Sequence, residues 1–119
     1  MKITVNGQVP SSKNSKKVTK TGKVYTDPRV QEWMDDAKLQ LKSQWREDRI
    51  EGDVCLTVIF YNQDNRRHDL DNQLATINDC LKETILTEDD QFHISQIQLQ
   101  YGGLDKKNPR AELWLDELS

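Results

Sequence analysis

The chain has 119 residues, of which 34% are hydrophobic and 31% charged, and its formal net charge is −3. This composition suits one folded domain over residues 1–119 and argues against intrinsic disorder. No apolar run approaches the ~20 residues of a membrane-spanning helix. Met1-Lys2-Ile3-Thr4-Val5-Asn6-Gly7 lacks the apolar stretch of a signal peptide, so the expectation is a cytoplasmic protein with no membrane partner. Cys55 and Cys80 are far apart in apolar-patterned segments, which predicts packing roles rather than a disulfide or a zinc site.

In chain order, residues 2–9 alternate Ile3 and Val5 with polar residues and read as a strand. Pro10-Ser11-Ser12-Lys13-Asn14-Ser15 breaks regular structure, and about 10–26 reads as a long basic loop or loose ribbon. Asp27-Pro28 is a helix start, with Asp27 as N-cap. Val30, Trp33, Met34, Ala37, Leu41 and Trp45 then form one apolar stripe, predicting a helix to about Arg46 or Glu47. Residues 54–61, Val-Cys-Leu-Thr-Val-Ile-Phe-Tyr, are apolar in both phases, as in a central strand covered on both faces. A polar loop through His68 leads to a second helix, Leu70 to about Glu83, with Asp69 as N-cap and Leu74, Ile77, Leu81 and Ile85 inward. Residues 91–101 read as a strand with a bulge near Ser95 or Gln96, 102–109 as a loop, and 111–115 as a last strand. The order β-α-β-α-β-β predicts an α/β (α+β) domain with a small mixed sheet.

Charge is unevenly spread along this order. Residues 1–30 carry seven bases and only Asp27 as an acid, a net +6, while residues 31–119 carry −9. A basic arm of this kind suits an acidic partner, usually nucleic acid, although a solvated loop has the same composition.

The segment richest in chemistry is Arg66-Arg67-His68-Asp69-Leu70-Asp71-Asn72, followed by Asp79 on the helix and Asp89-Asp90 after it. Clustered carboxylates raise one another's pKa unless a cation neutralises them. Mg²⁺ takes oxygen ligands and promotes attack of water on a phosphodiester. Arg66 and Arg67 could hold phosphate through forked hydrogen bonds. The same acids would also serve as helix caps and turn residues. Whether the chain brings Asp90 back to Asp69 and Asp71, or a dimer partner does, stays open at this point.

Asp69-Leu70-Asp71-Asn72 after Arg66-Arg67, then Asn78-Asp79 and Asp89-Asp90, resembles the RusA family of Holliday junction resolvases. Val9-Pro10-Ser11-Ser12-Lys13-Asn14 is similar to that family's N-terminal segment. The resemblance implies a homodimeric endodeoxyribonuclease of phage or prophage type, dependent on Mg²⁺ with Mn²⁺ as a second option. Such enzymes act in DNA recombination and repair, cutting four-way junctions by paired symmetric nicks that leave 5′ phosphates. It implies that Asp69, Asp71 and Asp90 are the catalytic metal ligands, with Asp79, Asn72 and Asp89 supporting. Lys13, Asn14, Lys16, Lys17, Lys20, Lys23, Arg66 and Arg67 would contact branched DNA.

One position departs from the family pattern. The family's catalytic lysine, four residues after the second Asp, is Ala75 here. Either a lysine of the basic loop or Lys82 substitutes, or the protein binds branched DNA without cutting it. A third reading is a structural or protein-interaction domain.

Overall fold

The computed structural model describes residues 2–11, 16–64, 70–86 and 94–118, with Lys16 described by its backbone alone. They build one α+β domain in the order β1 (Lys2–Asn6), β2 (Lys16–Val18), β3 (Val24–Thr26), α1 (Pro28–Gln44), β4 (Val54–Asn62), α2 (Leu70–Lys82), β5 (Ile94–Leu104) and β6 (Arg110–Glu117). Four strands form a mixed sheet in the order β1-β6-β4-β5, in which β4 and β5 are parallel and the other pairs antiparallel. The basic loop folds partly as a separate antiparallel ribbon of β2 and β3.

Among the described residues, both helices cover the same side of the sheet. Ile3 and Val5, Val54, Leu56, Val58 and Phe60, and Ala111, Leu113 and Leu115 point into a core shared with Ala37 and Leu41 of α1 and Ile77, Cys80 and Leu81 of α2. The expectation that β4 is buried on both faces is therefore corrected. β4 is central by pairing, but it alternates between buried and half-buried residues along its length. Cys55, Thr57, Ile59 and Tyr61 remain half-exposed, and the Arg110 guanidinium stacks 4.0 Å from the Tyr61 ring centre.

Helix boundaries follow their local chemistry. The Asp27 carboxylate accepts the Arg29 backbone N–H at 3.0 Å and Pro28 opens α1, as its sequence predicts. That backbone hydrogen bond, more than the nearby cations, holds the Asp27 carboxyl below the usual aspartate range. α1 stops at Gln44 rather than Arg46, because Trp45 adopts an extended conformation. At the end of α2, the Leu81 carbonyl accepts from Thr84, Ile85 and Leu86, and the Arg49 guanidinium donates to the Lys82 and Leu86 carbonyls. A cation there satisfies carbonyls that the helix leaves open and complements its dipole.

β1 ends at Asn6, because Gly7 turns with φ +102° and donates to the Pro109 carbonyl. The bulge expected near Ser95 is present: Val54 faces Ile94 and Cys55 faces Gln96, leaving Ser95 unpaired. β5 continues past Tyr101 through a second irregularity at Gly102, where a Cβ would lie 2.7 Å from the Ile59 and Tyr61 side chains. The expected loop thus begins only after Leu104, and β6 is longer than residues 111–115.

Candidate nucleic-acid interface and metal-binding acids

β4, α2 and β5 form a strand–helix–strand crossover. α2 begins near the carboxyl end of β4, and β5 starts at the opposite end of the sheet, with Ile94 beside Val54. Asp71 and Asn72 occupy the first turn of α2, Asp71 exposed and Asn72 half-buried. Exposed Asp79 lies about 12 Å further along the axis at 1.5 Å per residue. Lys82 lies about 16 Å from Asp71 by the same rise, beyond the reach of a lysine to a group held there.

Asp69, Asp89, Asp90, Arg66, Arg67, His68 and His93 lie outside the described residues, as do Lys13 and Asn14. Among the described residues, no group of three His, Cys, Asp or Glu side chains could hold a metal ion. Of the expected metal ligands Asp69, Asp71 and Asp90, only Asp71 is described, and it places a carboxylate on the surface with the supporting Asn72 beside it, half-buried. That chemistry fits a hard cation such as Mg²⁺ better than zinc. Ala75 is exposed one turn after Asp71 and supplies no polar group.

What sequence reasoning missed is how the basic arm is fastened. Gln73, 1% exposed, donates from Nε2 to the Val9 carbonyl and to Asn62 Oδ1, both at 3.0 Å. Gln8 Nε2 donates to the same Asn62 oxygen at 2.8 Å, and Gln8 Oε1 accepts the Gln63 N–H at 2.7 Å. Thr76 Oγ1 donates to the Pro10 carbonyl at 2.8 Å. One end of the arm is thereby bolted to the helix that carries Asp71, and the other runs into the Asp27 cap of α1. A signal was available: Gln73 and Thr76 share the inward phase of α2 with Ile77 and Cys80, so two polar residues occupy core positions. Buried polar groups demand partners, and here the donors of both find the Val9 and Pro10 carbonyls at the root of the arm, with Gln73 also reaching the Asn62 side chain.

The ribbon itself is held by its turn. Thr19 N donates to the Lys23 carbonyl, Lys23 N to Thr19 Oγ1, and Gly22 sits at φ +85°. Lys17, Lys20 and Lys23 are exposed, with Lys17 Nζ 3.9 Å from Asp27. Tyr25, 43% exposed, pairs across the ribbon with Lys17, and Val18 and Val24 are also exposed. An aromatic beside lysines on a projecting ribbon is a second feature the sequence reading passed over.

Between α1 and α2, Lys38 pairs with Glu83, and the buried Cys80 thiol is pushed up to about 12 by burial. Cys55 and Cys80 are both free thiols. No helix among the described residues is long and apolar enough to cross a membrane.

An α+β domain with a lysine-bearing ribbon and an acid-bearing helix to which Val9 and Pro10 are hydrogen-bonded is the class of architecture these elements define. A family model described as Endodeoxyribonuclease RusA matches residues 6–115. The chain belongs to that family. It is also similar to the crossover junction endodeoxyribonuclease RusA of Aquifex aeolicus (strain VF5), at 27% identity over 73 residues. That match covers 61% of this chain and 58% of the relative.

Proposed function

We propose that the protein is a divalent-metal-dependent endodeoxyribonuclease that resolves four-way DNA junctions as a homodimer. The observation that supports it most is the joint between arm and helix: Val9 and Pro10 are hydrogen-bonded to Gln73 and Thr76, so the lysine ribbon is rooted beside the turn that carries Asp71. A phosphate backbone drawn to Lys17, Lys20 and Lys23 would then pass over the first turn of α2. Phosphate contacts of this kind supply affinity and orientation with little sequence readout, leaving junction shape to select the substrate.

Asp69, Asp71 and Asp90 would hold Mg²⁺ or Mn²⁺, with Asn72, Asp89 and Asp79 in support. When bound, such an ion supplies charge stabilisation at the scissile phosphate and lowers the pKa of water. Asp71, exposed on the first turn, directs its carboxylate from a rigid helix rather than from a loop. Arg66, Arg67, Lys13, Asn14 and Lys16 would add backbone contacts. Tyr25 offers a ring on which an unstacked base at the junction centre can rest.

A second reading is favoured by Ala75. With no lysine one turn after Asp71, the protein would bind branched DNA and cut it slowly or not at all. The deciding experiment uses a synthetic four-way junction and a linear duplex, with Mg²⁺ or EDTA, and Asp71→Asn in parallel. Mg²⁺-dependent paired nicks in the junction, lost in the variant, support the resolvase. Tight junction binding without nicks supports the binder. Absence of junction binding defeats both.

A further inference from the structure

The two edges of the sheet are treated oppositely. At the β1 edge, Gln44 accepts the Thr4 N–H at 2.9 Å and donates to the Thr4 carbonyl at 2.7 Å, while Gln40 accepts the Asn6 N–H at 2.8 Å. Side-chain amides from α1 thus occupy the outward backbone groups of that strand. At the other edge, β5 runs for 11 residues, and none of the described residues pairs with its outer side. Its sequence, Ile94-Ser-Gln-Ile-Gln-Leu-Gln-Tyr-Gly-Gly-Leu104, contains no charged residue in a chain that is 31% charged. Isolated proteins normally protect such edges with charges, proline or a cover. Ile97, Tyr101 and Leu104 are 47%, 51% and 45% exposed, and by register they lie on the helix-covered side of the sheet, where α2 leaves them uncovered.

The geometry points to β5 as the surface through which two copies of this chain pair, antiparallel, about a two-fold axis normal to the sheet. This rests on the homodimer of the proposed function and says where its interface lies. Opposed residues in an antiparallel pair share a face, and a two-fold axis adds self-complementarity. With Leu99 on the axis, Ile97 of one copy faces Tyr101 of the other and Gln98 faces Gln100, so apolar meets apolar and amide meets amide. The irregularities at Ser95 and Gly102 bound this regular stretch. The partner's helix layer would stand on the same side and cover the exposed apolar rim. The chain exposes 7652 Å², about 1,000 Å² above the ~6,700 Å² expected for a monomer of its mass. A standard interface takes about 800 Å² from each partner.

The test is the solution mass of the full chain by light scattering and sedimentation from about 1 to 100 µM, for the wild type and two double variants. Ile97→Lys with Tyr101→Lys sets lysine against lysine twice across the axis, while Ile97→Lys with Tyr101→Glu sets lysine against glutamate twice. Both replace the same exposed residues, so their circular dichroism spectra should be alike, which shows that both are folded. The expected result is a dimeric wild type, a monomeric Lys/Lys variant with its dimer weakened at least 100-fold, and a dimeric Lys/Glu variant. If both variants stay dimeric, the β5 edge is refuted and the homodimer stands. If both are monomeric, the register is wrong and the proposal falls. A monomeric wild type overturns the edge and the homodimer together, leaving the DNA-binding reading untouched.

Discussion

Replacing Lys20 and Lys23 together by alanine separates a DNA-tracking ribbon from a merely solvated one. Both side chains are exposed, on the turn and just before β3, and no acid among the described residues is within ion-pair distance of them. Each phosphate contact on duplex DNA contributes about 0.9 to the slope of log K against log salt, so two contacts contribute about 1.8. At roughly 0.1 M salt the same relation gives an affinity loss on the order of tens of fold. Lys17→Ala should change the slope less than either of the other lysines, because Asp27 lies 3.9 Å from its ammonium and already offsets part of its charge. The assay is fluorescence anisotropy of a labelled four-way junction titrated from 50 to 300 mM salt. Fold stability should be unaffected, since neither side chain takes part in the core. A slope unchanged by the double substitution would refute the ribbon as a phosphate-binding element.

Asp71→Asn should abolish Mg²⁺-dependent nicking while leaving the helix start in place in urea melts, because asparagine keeps the size of the side chain and the charge removed stands on the exposed first turn of α2, where a dipole interaction is worth about 0.3–1 kcal/mol. Ala75→Lys should raise the nicking rate tenfold or more in single-turnover assays at unchanged junction affinity, and Ala75 is exposed enough to accept the longer chain. Asn62→Leu removes the oxygen that accepts from both Gln8 and Gln73, which at the usual net value per buried hydrogen bond costs about 1–3 kcal/mol by urea unfolding. Because the folded Cys80 thiol is raised from 9.0 to about 12, its contribution is complete below pH 9 and is lost between pH 9 and about 12, as the unfolded thiol ionises first. Cys80→Ala should flatten that alkaline decline in melting temperature. A thiol reagent at pH 8 should modify half-exposed Cys55 well before Cys80.

The fold was legible where chemistry is local. Asp27-Pro28 announces α1, and the phase slip between Ile94 and Ile97 announces the bulge at Ser95, because caps and side-chain alternation are properties of adjacent residues. Layering was not legible. β4 is apolar in both phases, yet no helix among the described residues covers its second face, and nothing in residues 54–61 says where α1 and α2 will settle. The acids at 69–72 and 89–90 were legible as a candidate cation site from their clustering, and their separate roles only through the resemblance. Their spacing also fits caps and turns, and of those acids only Asp71 is among the described residues. The joint at Gln73 and Thr76 required contacts 64 and 66 residues apart in sequence, which no local pattern encodes.

That joint is also where stability and function meet. Asn62 closes the carboxyl end of β4, and its carbonyl accepts the Asp105 N–H at 2.8 Å while its side chain ties Gln8 to Gln73. One residue therefore couples the strand end, the root of the basic arm and the acid-bearing helix. If the arm serves only to raise affinity, loosening this hub should weaken junction binding and leave the bound-state nicking rate unchanged. If the hub also fixes the path of the backbone over Asp71, Gln73→Leu should lower the single-turnover rate at saturating protein, since small misplacements of a reacting group cost large factors in rate. Gln73→Glu, which keeps the shape but loses the donor to Val9 and Asn62, should follow Gln73→Leu. A normal rate in both variants would reduce the hub to a structural fastening.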